Sequence, residues 1–180
     1  HGTFGEDGTL QGLFEMAGVA YVGAGVLGSS AGMDKGLFKD VMQANNIPVV
    51  AGVIVSRSDI SAENSVLFDQ IEQIGPYPLF TKPANMGSSV GVSKCQNRSD
   101  LYEGLLDAAR FDRRILIEVG INAREIEISV LGNDHPKASV PGEIVPAADF
   151  YSYDAKYHNA DSFDVIPAEI PAETADLMRQ

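Results

Sequence analysis

Apolar residues along this chain switch repeatedly between a spacing of three to four and an alternation of two, which predicts mixed helix and sheet. After the turn-rich residues His1 to Gly8, Leu10, Leu13, Phe14 and Ala17 recur at helical spacing until Gly18, and a short strand is expected from Ala20 to Val22. Ser29 and Ser30 are cap-type residues before a helix striped by Met33, Leu37, Phe38, Val41 and Met42, which should close at Asn45 and Asn46 ahead of Pro48. Lys35 and Lys39 lie off that stripe.

The β-branched run Val49 to Val55 predicts a strand, and Leu67, Phe68, Ile71 and Ile74 predict a second amphipathic helix stopped by Gly75. Strands are expected at Leu79 to Lys82 and Val92 to Cys95, flanking a Gly/Ser loop. Ser99 is the expected N-cap of a helix burying Leu101, Leu105 and Ala108, with Asp100 and Glu103 in its positive first turn. Arg114 to Val119 reads as a strand. From Arg124 to Leu131, Ile126, Ile128 and Val130 alternate with polar residues, the period of a sheet with one buried face. Beyond Gly142 the pattern fails, and Phe150 to His158 has the crowded polar and aromatic character of a functional loop. Phe163 to Ile166 predicts another strand, and Pro171 to Gln180 the start of a helix.

With 44% hydrophobic and 21% charged side chains, 180 residues can bury a core, as one ordinary domain or two small ones. The net charge of −12 opposes binding to a polyanion, so nucleic acid is a poor partner. The one cysteine, Cys95, precludes an internal disulfide, which fits a reducing compartment, the cytoplasm by default. It reads as a small strand residue rather than a nucleophile. No apolar run approaches the roughly 18 residues of a membrane span, and no membrane partner is expected. The chain opens on His1 rather than Met, inside what reads as a loop, so an excerpt or a processed fragment of a longer protein is expected.

The segment Thr81-Lys-Pro-Ala-Asn-Met-Gly-Ser-Ser-Val-Gly places a lysine at a strand end before two glycines that flank two serines. Such a loop can fold its N–H groups and hydroxyls over phosphate oxygens while Lys82 supplies a point charge. In the Walker pattern the lysine instead follows the glycines, and an ordinary hairpin turn is the plainer reading. Lys35, in Met-Asp-Lys, by itself reads as a solvated lysine. Glu118 ends an apolar strand before Val119, Gly120 and Ile121, where backbone groups can meet an adenine edge and a carboxylate can take an amine or ribose hydroxyls. A strand-end acid facing water is the alternative.

Read together, HGTFGEDGTLQG, SSAGMDK, FTKPANMGSSVG, LIEVGINAREIE, PGEI and DFYSYDAKY resemble, in this order and over nearly the whole chain, the ATP-grasp ligases of the D-alanine:D-alanine ligase family. The resemblance implies an α/β (α+β) ATP-grasp fold. Residues 1–26 would be the remnant of an N-terminal Rossmann-like domain, 27–119 the central subdomain, and 120–180 an incomplete C-terminal subdomain whose closing loop is 142–160. It implies ATP and two D-alanines as reactants, an acyl phosphate, a dipeptide destined for peptidoglycan, and Mg²⁺ or Mn²⁺. It leaves a homodimer open.

By the same resemblance, Lys35 and Lys82 hold the ATP phosphates and Gly87 to Val90, with Ser88 and Ser89, covers them. Glu118, Val119 and Ile121 surround the adenine, Glu125 holds the ribose and Phe150 packs on the nucleotide. Lys156 reaches the transferred phosphate. Tyr157 bonds Ser88 to organise the second D-alanine and favours a dipeptide over a depsipeptide. His1 and Glu6 lie near the substrate. The family's first-substrate glutamate, oxyanion arginine and acidic metal ligands have no match here; Asp149, Asp154 and Asp161 are not those ligands. The chain alone is therefore expected to be inactive. Another ATP-grasp carboxylate:amine ligase, or a non-catalytic nucleotide-binding module, is the alternative.

Overall fold

The computed structural model describes residues 2–145 and 163–180, which divide between two compact units, 1–121 and 122–180. Helix α1 (Thr9–Ala17) ends on Gly18, whose left-handed backbone takes up the last carbonyls. Ala20 to Val22 form no strand: no neighbouring strand lies beside them among the described residues, so no ladder can form there.

Ser29 and Ser30 lie inside α2 (Val26–Met33) rather than capping the next helix, and their hydroxyls donate to Ala24 O and Asp7 O. The cap of α3 (Lys35–Ala44) is Asp34, whose Oδ1 accepts from Leu37 N at 2.9 Å. The expected apolar stripe is thus split at Asp34. The end of α3 matches expectation, with Asn46 at positive φ closing it.

Strands β1 (Gly52–Ser56), β2 (Leu79–Pro83), β3 (Ser93–Cys95) and β4 (Arg114–Val119) form one antiparallel sheet in the order β1-β4-β2-β3. Its alternation sends Val53, Val55, Leu79, Cys95, Ile115, Ile117 and Val119 to one face. There α4 (Ser65–Glu72) contributes Phe68 and Ile71, and α5 (Arg98–Ala108) contributes Leu101, Leu105 and Ala108. The cap of α5 is Asn97, not Ser99: the Asn97 side chain accepts from Asp100 N at 3.0 Å, so the helix starts before Ser99. Across the sheet, the first turn of α3 lies so close that a Cβ on Gly36 would meet the Ile54 side chain at 2.8 Å.

In the second unit β5 (Glu125–Glu127), β8 (Gly142–Val145) and β9 (Phe163–Val165) pair antiparallel in the order β5-β8-β9. Strands β6 (Val130–Leu131) and β7 (Lys137–Ala138) form a separate ladder, and α6 (Ala172–Met178) closes the chain. The expected continuous strand from Arg124 to Leu131 is broken, because Ser129 N turns to the Ser139 hydroxyl and Val130 joins β7. Val130 is exposed rather than buried.

Leu105 is fully buried between α5 and the sheet. Leu105→Ala should lower unfolding free energy by about 2–5 kcal/mol in a urea titration.

Candidate functional site

The period of two that buries Ile117 and Val119 turns Leu116 and Glu118 to the opposite face of β4. On β2 the same rule turns Phe80 and Lys82 to that side. Phe80 stands directly across from Glu118 and Lys82 across from Leu116, so Lys82 and Glu118 are diagonal neighbours. Lys82 Nζ lies 2.5 Å from Glu118 Oε2 and 5.9 Å from the Phe80 ring centroid.

From α3 a second lysine reaches the same acid: Lys39 Nζ is 2.6 Å from Glu118 Oε1 and also donates to Val50 O at 2.6 Å. Lys35, one helical turn earlier and so on the same side of α3, donates to Met86 O and, at 3.5 Å, to Ala84 O. The start of α3 is fastened by an ion pair between Asp34 and Arg114, by Lys35 N donating to Ala84 O at 2.9 Å, and by Ala84 N donating to Arg114 O at 2.9 Å. Three lysines and one acid therefore gather on this face of the sheet.

Burial and the neighbouring Lys82 charge both push the Lys35 ammonium below its ordinary range. An anion placed there would relieve that. For Glu118, burial pushes the carboxyl up, but the charges of Lys82 and Lys39 and their hydrogen bonds outweigh it and leave the group below its ordinary value.

The loop after β2 carries Ser88 and Ser89 at φ of 54° and 59°, with Val90 N donating to Gly87 O at 3.1 Å. This is the left-handed turn that suits hairpins, built from two residues with side chains at about 1–2 kcal/mol each. A Cβ built on Gly87 would meet Met33 Cε at 3.7 Å and Glu6 Oε2 at 3.8 Å, ordinary contact distances. Glu6, whose Oε2 accepts from Gly2 N at 2.7 Å, thus lies beside the turn. Thr3 joins it through a hydroxyl on Met86 Sδ at 3.2 Å.

The Val119 side chain packs against the core, so only its backbone can address a ligand on the other face; its N–H already donates to Ala51 O. Ile121 is exposed. Glu125 lies exposed on β5 of the second unit, where Arg124 forks onto both oxygens of Glu143 at 2.7 and 2.5 Å. His1, Phe150, Lys156 and Tyr157 fall outside the described residues, as do Asp149, Asp154 and Asp161.

Residues 41–180 match the sequence model of the family described as "D-ala D-ala ligase C-terminus". The chain belongs to this D-alanine:D-alanine ligase family. It is 54% identical over 172 residues to a D-alanine–D-alanine ligase of Heliobacterium modesticaldum, covering 96% of this chain and 47% of that protein. With the D-alanine–D-alanine ligase of Acetivibrio thermocellus it shares 50% over 179 residues, 99% of this chain and 48% of the relative. Among solved structures, the D-alanine-D-alanine ligase from Coxiella burnetii superimposes with a TM-score of 0.80 at 35% identity, over 100% of this chain and 46% of that one. The VanG D-Ala:D-Ser ligase from Enterococcus faecalis gives 0.85 at 34%, over 99% and 51%. The ATP-grasp fold expected from the motifs is thus the fold of the family, and the chain spans about half the length of the curated relatives it matches.

Sequence reasoning placed Lys35, Lys82 and Glu118 in one site, and the structure brings them to one face. It missed Lys39 and the Asp34–Arg114 fastening. The available signal was the four-residue spacing of Lys35 and Lys39 on one helix.

Because the folded Glu118 carboxyl sits below its ordinary value of 4.5, its contribution to stability is present above that value and lost as pH falls through the folded one. In urea titrations, the stability gap between the native chain and Glu118→Gln should narrow as pH falls from neutral to below 4.5. An unchanged gap would show that the lysines do not hold an ionised Glu118.

Proposed function

We propose that the protein carrying this chain uses ATP to join two D-alanines into D-alanyl-D-alanine for peptidoglycan. A carboxylate oxygen of the first D-alanine attacks the γ-phosphorus and ADP leaves. The amine of the second then attacks the acyl carbon, releasing phosphate and a proton. The observation that carries this reading is the convergence of Lys35, Lys39 and Lys82 with Glu118 on one sheet face, in a chain about half identical to D-alanine–D-alanine ligases.

The physical demand is to hold a highly anionic triphosphate and to keep water from an acyl phosphate. In this reading Lys35 and Lys82 take phosphate oxygens, and the turn Gly87 to Val90, with Ser88 and Ser89, covers them. Glu118, the Val119 backbone and Ile121 meet the adenine, Glu125 the ribose, and Phe150 packs on the nucleotide. Lys156 reaches the transferred phosphate. Tyr157 and Ser88 organise the second amino acid, with Glu6 and His1 near the substrates. The placement of Glu6 beside Gly87 supports a substrate end next to the phosphate-covering turn.

A divalent ion, when bound, would shield the phosphates. Among the described residues no three His, Cys, Asp or Glu side chains converge as ligands, so no step is assigned through it. Among the described residues no helix is long and apolar enough to cross a membrane, and a cytoplasmic enzyme is the setting we propose.

A D-Ala:D-Ser ligase stands among the structural relatives, so D-serine belongs in the test. With the full-length protein, phosphate release from ATP should require D-alanine and exceed that with D-serine or D-lactate as second substrate. Lys82→Ala should lower kcat/KM at least about a hundredfold. Phosphate release indifferent to D-alanine would contradict the assignment.

A further inference from the structure

Two lysines share Glu118, and they are held unequally. Lys39 has two fixed acceptors, Glu118 Oε1 and the Val50 carbonyl, each at 2.6 Å, and its side chain is 15% exposed. Lys82 has Glu118 Oε2 at 2.5 Å as its only hydrogen-bond acceptor among the described residues, and its side chain is 28% exposed. Glu118 itself is 13% exposed, too enclosed for water to replace a lost counter-charge at small cost.

This asymmetry matters because the nucleotide reading, on which the inference rests, asks Lys82 to serve a phosphate oxygen. An ammonium has three donors, but a phosphate that draws Lys82 toward itself stretches or breaks its 2.5 Å pair with Glu118. The departure of Lys82 would leave a mostly buried carboxylate uncompensated unless another cation stays. Lys39 is placed to stay, since the Val50 carbonyl fixes its ammonium independently of Glu118.

We propose that Lys39 is a positioning residue that keeps the Glu118 carboxylate ionised and in place when Lys82 leaves it for the nucleotide phosphates. Lys39 needs no contact with ATP for this. It lowers the cost of releasing Lys82, and it preserves the orientation of the acid that borders the base. The Asp34 cap and the Arg114 pair keep the first turn of α3, one turn before Lys39, against the sheet.

The test is a double-mutant cycle on the full-length protein, reading Mg²⁺-ATP affinity by calorimetry. Lys39→Gln keeps a hydrogen-bond donor for Val50 but removes the charge, which favours a folded variant, and a thermal melt checks this. Lys39→Gln should raise the Kd for ATP by at least about tenfold. In a Glu118→Gln background the same substitution should change Kd by less than about twofold, because no buried carboxylate then needs a partner. Lys39→Arg, which restores the cation, should recover most of the loss.

An equal loss in both backgrounds would assign Lys39 a purely structural role and overturn the proposal, as would an unchanged Kd for Lys39→Gln. A failure of the unaltered protein to bind ATP would overturn the nucleotide reading itself and the proposal with it. The two failures are distinguished by the unaltered protein alone.

Discussion

The site depends on one enclosed carboxylate held between two ammonium groups. Glu118 is the penultimate residue of β4, a strand whose other face is the hydrophobic core, so its direction is fixed by Ile117 and Val119 packing beneath α4 and α5. Everything that reaches it comes from a different element: Lys82 from β2 by diagonal pairing, Lys39 from α3 through the anchor at Val50. Burial alone would favour a neutral acid; the paired lysines reverse that preference. The result is a sheet face on which an ionised carboxylate is held between two ammonium groups from different elements.

Around that face the structure is fastened by backbone as much as by side chains. Asp34 caps α3 and pairs with Arg114, whose carbonyl receives Ala84 N, whose own carbonyl receives Lys35 N. Lys35 is therefore tied to the end of β2 that carries Lys82 and to the start of β4, the strand that carries Glu118 toward its other end. The turn at Ser88 and Ser89 holds two side-chain-bearing residues in left-handed backbone where glycine would be cheaper, which is the kind of local cost found at ligand-handling loops. It lies beside Glu6 and Thr3, so the first residues of the chain border the same loop.

The strands of the central sheet were legible because their apolar runs are buried on one face and bounded by turn residues. Arg114 to Val119 is found with the expected limits, and Leu101, Leu105 and Ala108 are buried as their spacing requires. Lys35, Lys82 and Glu118 were legible only as members of linked motifs, since each alone reads as an ordinary surface charge. Cap positions differ from expectation: Ser29, Ser30 and Ser99 are all chemically suitable, but Asp34 and Asn97 accept from Leu37 N and Asp100 N, and Asp34 is also held by Arg114. Lys39 was passed over because its role is set by a partner 79 positions away, which helical spacing on one element does not reveal. The broken strand after Glu127 has a similar cause, a competing pairing with β7 that alternation cannot register.

The most direct measurement is a structure of the full-length protein with a non-hydrolysable ATP analogue. The account predicts that Lys82 Nζ will have left Glu118 for a phosphate oxygen while Lys39 still pairs with the carboxylate and Val50. A bound nucleotide with the Lys82–Glu118 pair intact, or with Lys39 displaced, would contradict it.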